Sequence, residues 1–147
     1  MANVFDVARY MLNKLNTVST WKLQKLCYYA QAWQITWTDH PLFQNRIEAW
    51  RNGPVCPDLF LVCEGHYYVQ VGDISETYCD SRHPLTADEI DTIDRVLEHY
   101  GTKEPYELRE LAISEDPWRK ACGNIPENNT CYNEITPENM GRYYGSL

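Results

Sequence analysis

No stretch of this sequence approaches the ~20 consecutive apolar residues that a membrane-spanning helix requires. Its first residues, MANVFDVARY, lack the basic stretch and apolar run of a secretory leader. Cations are also scarce: 13 Lys and Arg stand against 21 Asp and Glu, a formal net charge of -8. That balance works against general nucleic-acid binding, because phosphate contacts draw on clustered basic residues. The six cysteines (Cys27, Cys56, Cys63, Cys79, Cys122 and Cys131) contain no Cys-x-x-Cys pair. The familiar dithiol and zinc-ribbon spacings are therefore missing. There are no internal repeats, low-complexity tracts or linkers. Together these absences lead us to expect a cytoplasmic protein with no membrane association, whose thiols are free and mostly buried. In that compartment the formal glycosylation sequon at Asn128 to Thr130 has no meaning.

Aromatic residues are abundant, with 5 Trp, 11 Tyr and 3 Phe in 147 residues. A chain of this length removes roughly two thirds of its unfolded surface from water, so a core forms without metal or disulfides. The expected fold is mainly α: a single compact helical domain over residues 1–147, with a central two-faced helix and a minor short β element.

The helical signals are local and mostly well bounded. Residues 3 to 15 place Val4, Ala8, Met11, Leu12 and Leu15 on one stripe, with Asn3 as cap and Asn16 as stop. Ser19 or Thr20 caps a second helix running to about Thr38. On it Leu23, Leu26, Cys27, Ala30, Trp33 and Trp37 share one face, and Trp21, Tyr28, Ala32 and Ile35 the opposite one. Lys22, Gln24, Lys25 and Gln31 lie on the edges between, and Tyr29 is expected on a polar edge within reach of solvent. A helix apolar on two opposed faces must be covered from both sides, which puts it at the centre of the fold or half in an interface.

Beyond Pro41, Arg46 to Trp50 reads as extended and leads into the turn Asn52-Gly53-Pro54. Pro57 opens a short helix that Gly65 stops. Tyr67 to Val71 alternates weakly as a strand, and Gly72 to Pro84 reads as loop. Thr86 and Glu89 form a capping box for a helix with stripe Ile90, Ile93, Val96, Leu97 and Tyr100, ending at Gly101. Pro105 opens a shorter helix with Leu108, Leu111 and Ala112 inward. Asp116 and Pro117 read as a cap and the first residue of another turn, anchored by Trp118. Thr136 and Pro137 start a last helix carrying Met140, Tyr143 and Tyr144. Glu115-Asp116 and Asp88-Glu89 fall in first turns, where the helix dipole accounts for acidic residues.

Three segments in this order, Lys22-Leu-Gln-Lys-Leu-Cys-Tyr-Tyr-Ala-Gln31, Pro41-Leu-Phe43 with Ile47-Glu-Ala-Trp50 and Gly53-Pro-Val55, and Ser114-Glu-Asp-Pro-Trp118, resemble the Panacea domain of SocA-like and GepA-like antitoxins. The resemblance runs from about Val4 to the last helix. It implies an antitoxin that neutralises a cognate toxin, encoded by an adjacent gene, through direct protein contact, with no catalytic residues and no cofactor. The partner-binding residues expected on that basis are Gln24, Lys25, Tyr28, Tyr29, Trp33, Trp50, Arg51, Gly53, Pro54 and Val55. The acidic balance suits a basic partner, such as a toxin acting on RNA or ribosomes.

Other readings of the same residues exist. The turn at Asn52 to Pro54 accounts for Gly53 and Pro54 on backbone grounds alone. Cys63, His66, Cys79 and His83, with Cys56 in addition, have ligand-like spacings for zinc in a regulatory protein. Cys63 and His66 are also the components of a nucleophile and base. A phage or prophage accessory protein that inhibits a host factor or serves as a proteolytic adaptor would use the same surface as an antitoxin.

Overall fold

The computed structural model describes residues 1–123 and 131–147; the sequon at Asn128 to Thr130 lies outside them. Helix α1 (Val4–Leu15) begins where a capping box forms. The Asn3 side chain accepts from the backbone of Phe5 and Asp6 at 2.9 and 3.2 Å, and Asp6 accepts from the Asn3 N–H at 2.9 Å. Asn16, at φ 68°, ends it. Strand β1 (Val18–Ser19) follows, and the Ser19 hydroxyl then accepts from Lys22 N–H at 3.1 Å to start α2 (Thr20–Thr38).

A hairpin comes next, β2 (Glu48–Trp50) antiparallel to β3 (Gly53–Val55), with Trp50 opposite Gly53. The other edge of β2 is taken by residues 132–135: Ala49 N–H donates to Asn133 at 2.8 Å, and Ile135 N–H to Ile47 at 2.8 Å. Pro57 opens α3 (Pro57–Cys63), and β4 (Tyr68–Val69) pairs antiparallel with β1. The strand expected over Tyr67 to Val71 is thus present but shorter, and its partner β1 was hidden in a connection too short to show alternation. The expected loop from Gly72 to Pro84 holds two 3-10 turns, Val71–Asp73 and Glu76–Tyr78. Arg9 of α1 ties this segment down by donating to the carbonyls of Val71 and Ile74.

Helix α4 (Ala87–Tyr100) has the expected Thr86–Glu89 box, and α5 (Pro105–Ser114), α6 (Asp116–Cys122) and α7 (Pro137–Tyr144) complete the chain. The fold is a mainly α single domain, as the helical periodicities required. One cap differs from expectation: Asp116 is already helical and Glu115 occupies the cap position of α6. The thiols differ too. Cys122 and Cys131 form a disulfide with Cα atoms 5.5 Å apart, whereas Cys27, Cys56, Cys63 and Cys79 are free. Cysteine spacing alone carried no information on which pair would meet.

Helix α2 runs through the middle and packs against α1, α3, α4, α5, α7, β1 and β3. Every residue from Leu23 to Ala32 is buried, so the edges read as polar boundaries are enclosed along with the two apolar faces. Tyr29 is 0% exposed, which corrects the expectation that it reaches solvent. Its ring stacks on Tyr100 with centroids 4.0 Å apart, and its hydroxyl donates to Glu115 at 2.6 Å. Tyr144 donates to the same carboxylate oxygen at 2.8 Å, which leaves the Tyr28 hydroxyl to donate to Tyr144 at 2.9 Å. Burial raises the Glu115 carboxyl above the ordinary range, with the two tyrosine hydrogen bonds pulling it down. The helix dipole is therefore only part of what places an acid here: Glu115 is the shared acceptor of two core phenols, Tyr29 and Tyr144, and Tyr28 joins the network through Tyr144.

Glu115→Ala leaves the buried Tyr29 and Tyr144 hydroxyls without an acceptor and should lower stability by about 2–4 kcal/mol. Glu115→Gln, which keeps a carbonyl oxygen, should lose less. Urea denaturation of the two variants checks the order.

Candidate protein-binding surface

The buried polar side chains of α2 do their work by gripping backbone. Gln24 donates to the Cys56 carbonyl at 3.2 Å and accepts from the Cys56 N–H at 2.8 Å, fixing the end of the hairpin to the helix. Gln31 does the same about two turns on, donating to Phe43 O at 2.7 Å and accepting from the N–H groups of Leu42 and Phe43 at 2.7 and 3.1 Å. Lys25 differs. It is 1% exposed, its amine lies 5.0 Å from the centre of the Trp21 ring, and it has no hydrogen-bond partner.

Gly53 covers that amine. Its φ of 106° lies where side-chain-bearing residues are strained, and a Cβ there would come within 2.9 Å of Lys25 Cε. The hairpin turn thus needs glycine for two separate reasons, its own geometry and the lysine beneath it. Pro54 and Val55 are buried beside it.

On the outer side, the Trp50 ring meets Phe60 at 5.0 Å and Tyr132 at 5.5 Å, both edge-on, and Phe60 meets Trp21 at 6.1 Å. The Trp50 indole N–H donates to Glu48 at 2.9 Å, while its backbone carbonyl accepts from the Trp118 indole at 2.9 Å. Arg109 of α5 donates to the Arg51 carbonyl at 3.1 Å. Tyr132 is 55% exposed, and Arg51 and Asn52 at the turn are exposed. The result is an aromatic centre immobilised on several sides, ringed by charged and polar groups. Ordered aromatics and arginine inside a polar rim are the composition that protein interfaces favour.

The ten residues singled out from sequence are therefore divided. Trp50 and Arg51 reach this surface; Gln24, Lys25, Gly53, Pro54 and Val55 are buried and support it from below. Tyr28 and Tyr29 belong to the Glu115 network in the core. Trp33 is elsewhere, donating to the Tyr100 hydroxyl at 2.9 Å and lining, with Trp37, Arg95, Val96 and His99, a groove of about 300 Å³. Trp21, Phe60, Tyr132 and Arg109 were missed, and only the fold could assemble them, since they come from four separate segments.

Cys63, His66, Cys79 and His83 do not converge: among the described residues no group of three or more His, Cys, Asp or Glu side chains is placed to hold a metal ion. His83 instead pairs with Asp80 at 2.9 Å. Burial pushes the Cys63 thiol up to about 11, with Asp73 adding to the rise, which is the reverse of what a thiolate nucleophile requires. No helix among the described residues is long and apolar enough to cross a membrane.

A family model described as antitoxin SocA-like, Panacea domain, matches residues 23–119, about two thirds of the chain. Comparison with curated proteins and with solved structures returns no match. The matched span runs from α2 into α6 and so contains most of α2, the hairpin, Glu115 and Trp118. It leaves out α1 and α7, which nevertheless pack on α2.

Two substitutions probe the hairpin seat. Gly53→Ala should cost about 1–3 kcal/mol through backbone strain and contact with Lys25. Lys25→Met, which removes an unpaired buried amine, should stabilise the protein by about 1–3 kcal/mol at pH 7. Burial, with Arg109 adding to it, lowers the Lys25 amine from 10.5 to about 7. The unfolded chain then holds a proton that the folded protein gives up. The destabilisation is complete below about pH 7, shrinks as pH rises towards 10.5 and vanishes above it. Thermal melts should accordingly show the advantage of Lys25→Met at pH 6.5 narrowing by pH 9.5.

Proposed function

The chain belongs to the SocA-like antitoxin family that carries the Panacea domain, and from that premise we propose that it neutralises a cognate toxin by holding it in a protein–protein complex, with no turnover of its own. The observation that carries this reading is the coincidence of the family match with the elements that build the Trp50–Arg51 surface. Residues 23–119 include Trp50, Arg51, Phe60 and Arg109 together with the buried Gln24 and Lys25 that fix the hairpin.

The physical logic is that of an inhibitor. A binder that blocks its target needs little motion and a large apolar contact that is ordered before binding, because ordering side chains at the moment of association subtracts from affinity. Trp50 meets that need, with its ring between Phe60 and Tyr132 and its backbone and indole N–H both hydrogen-bonded. Arg51 and Asn52 beside it supply exposed polar groups for the rim. The toxin is the protein encoded by the neighbouring gene, and the compartment is the cytoplasm.

Co-expression of this chain with the product of the adjacent gene should restore growth and yield a co-purified complex. Trp50→Ala and Arg51→Glu should each weaken that complex at least tenfold and abolish rescue while circular dichroism stays unchanged. Full rescue by both folded variants would refute the assignment of this surface, and growth inhibition that the wild-type chain fails to relieve would refute the antitoxin role.

A further inference from the structure

Among the described residues two buried side-chain atoms have no hydrogen-bond partner, Lys25 Nζ and Gln34 Oε1, and only the first carries a charge when protonated. An amine 1% exposed and left unpaired is a liability that the fold does nothing to offset. The Trp21 ring at 5.0 Å gives it a weak electrostatic contact, and the charged neighbour that acts on it, Arg109, has the same sign. Natural chains tolerate such costs mainly at functional sites.

Lys25 is also close to the surface. Its amine would be 3.6 Å from a Cβ on Gly53, and the turn residues next to Gly53, Arg51 and Asn52, are exposed. Trp21, half-buried, borders the amine on the other side, so the four-carbon stem can carry the ammonium outward past that ring. Arg109 holds the turn through the Arg51 carbonyl at 3.1 Å. Three basic side chains, Lys25, Arg51 and Arg109, thus gather at one turn of a chain whose net charge is -8. Glu48 is engaged by Arg46 and the Trp50 indole, and Glu110 offsets Arg109, so that among the described residues Lys25 and Arg51 are the two basic groups of this turn with no carboxylate partner. Local charge therefore has the opposite sign to the molecule as a whole.

We infer that the Arg51–Asn52–Gly53 turn is the docking point for a carboxylate side chain of the bound protein, which becomes the charge partner that Lys25 lacks, with Arg51 and Arg109 flanking it. This deepens the antitoxin reading and rests on it. A single carboxylate suits the site because one unpaired amine, protonated as the partner docks, takes one negative charge, and burying the pair beside Trp21 strengthens it. The inference also refines the expectation of a basic partner: at this point of contact the partner is acidic.

The test uses the toxin encoded by the adjacent gene, with dissociation constants measured for the wild-type chain, Lys25→Met and Arg51→Glu. Each Asp and Glu on the toxin is changed in turn to its amide. Lys25→Met should melt at a higher temperature alone yet bind at least tenfold more weakly. One toxin amide variant should weaken wild-type binding by a similar factor while leaving Lys25→Met binding unchanged, the signature of a direct pair. Binding of Lys25→Met at wild-type strength, or the absence of any coupled toxin carboxylate, overturns the inference. If Lys25→Met does not fold, the same scan against Arg51→Glu decides, since Arg51 is exposed and its exchange leaves the core intact. A wild-type chain that does not bind the toxin at all defeats the antitoxin reading itself, an outcome separate from loss confined to the variants.

Discussion

A helical stretch without a solvent face has to satisfy its polar side chains from within the protein or bear the cost of leaving them unpaired, and that requirement organises this fold. Over Leu23 to Ala32, α2 is buried all round, so Gln24, Tyr29 and Gln31 must each find a partner on another element. They find the backbone of Cys56, the carboxylate of Glu115 and the backbone of Leu42 and Phe43. An unmade bond at any of these points would cost roughly 1–3 kcal/mol, more than a formed one contributes, so the pairings act as constraints on topology rather than as sources of stability. Each ties α2 to a segment far away in sequence: the hairpin, the extended stretch after Pro41, and the α5–α6 junction.

Those three segments coincide with stretches on which, beside Lys22 to Gln31 of α2 itself and Ile47 to Trp50, the resemblance to the Panacea domain rests: Gly53-Pro-Val55, Pro41-Leu-Phe43 and Ser114-Glu-Asp-Pro-Trp118. The motif therefore has a physical meaning: it records how one buried helix is wired to its surroundings. Trp118 adds a further link by bonding to the Trp50 carbonyl, so that the α5–α6 junction and the hairpin also hold each other. It follows that most motif residues describe the frame. The proposed chemistry of partner recognition lies in what the frame displays: Trp50 from within the motif, Arg51 between two of its segments, and Trp21, Phe60, Tyr132 and Arg109 from outside it.

Lys25 is where frame and display meet. It sits in the same buried register as Gln24, one residue on, yet has nothing to bond with, and it requires a glycine above it. A scaffold optimised for stability alone would place methionine or leucine there. The opposite sign of charge at the turn, set against an acidic whole, gives a steering field over a short range, since at physiological salt charges beyond about 8 Å are largely screened. Recognition through this turn would depend on contact geometry more than on the net charge of either protein.

Helix boundaries and caps were legible in the residue order because they depend on neighbours three and four positions apart: Asn3 with Asp6, Thr86 with Glu89, Pro57 and Pro137 in first turns. The centrality of α2 was legible as well, from its two opposed apolar faces. Which side chains ended up at the surface was not, because an edge of a helical wheel is exposed or enclosed according to what packs against it; Tyr29 is buried because Glu115, eighty-six positions away, provides an acceptor. For the same reason the pairing of Cys122 with Cys131, the brief ladder between β1 and β4, and the aromatic surface drawn from four segments are properties of the folded chain only. Local sequence determined the elements, and long-range satisfaction of buried polar groups decided which of their faces remained available to a partner.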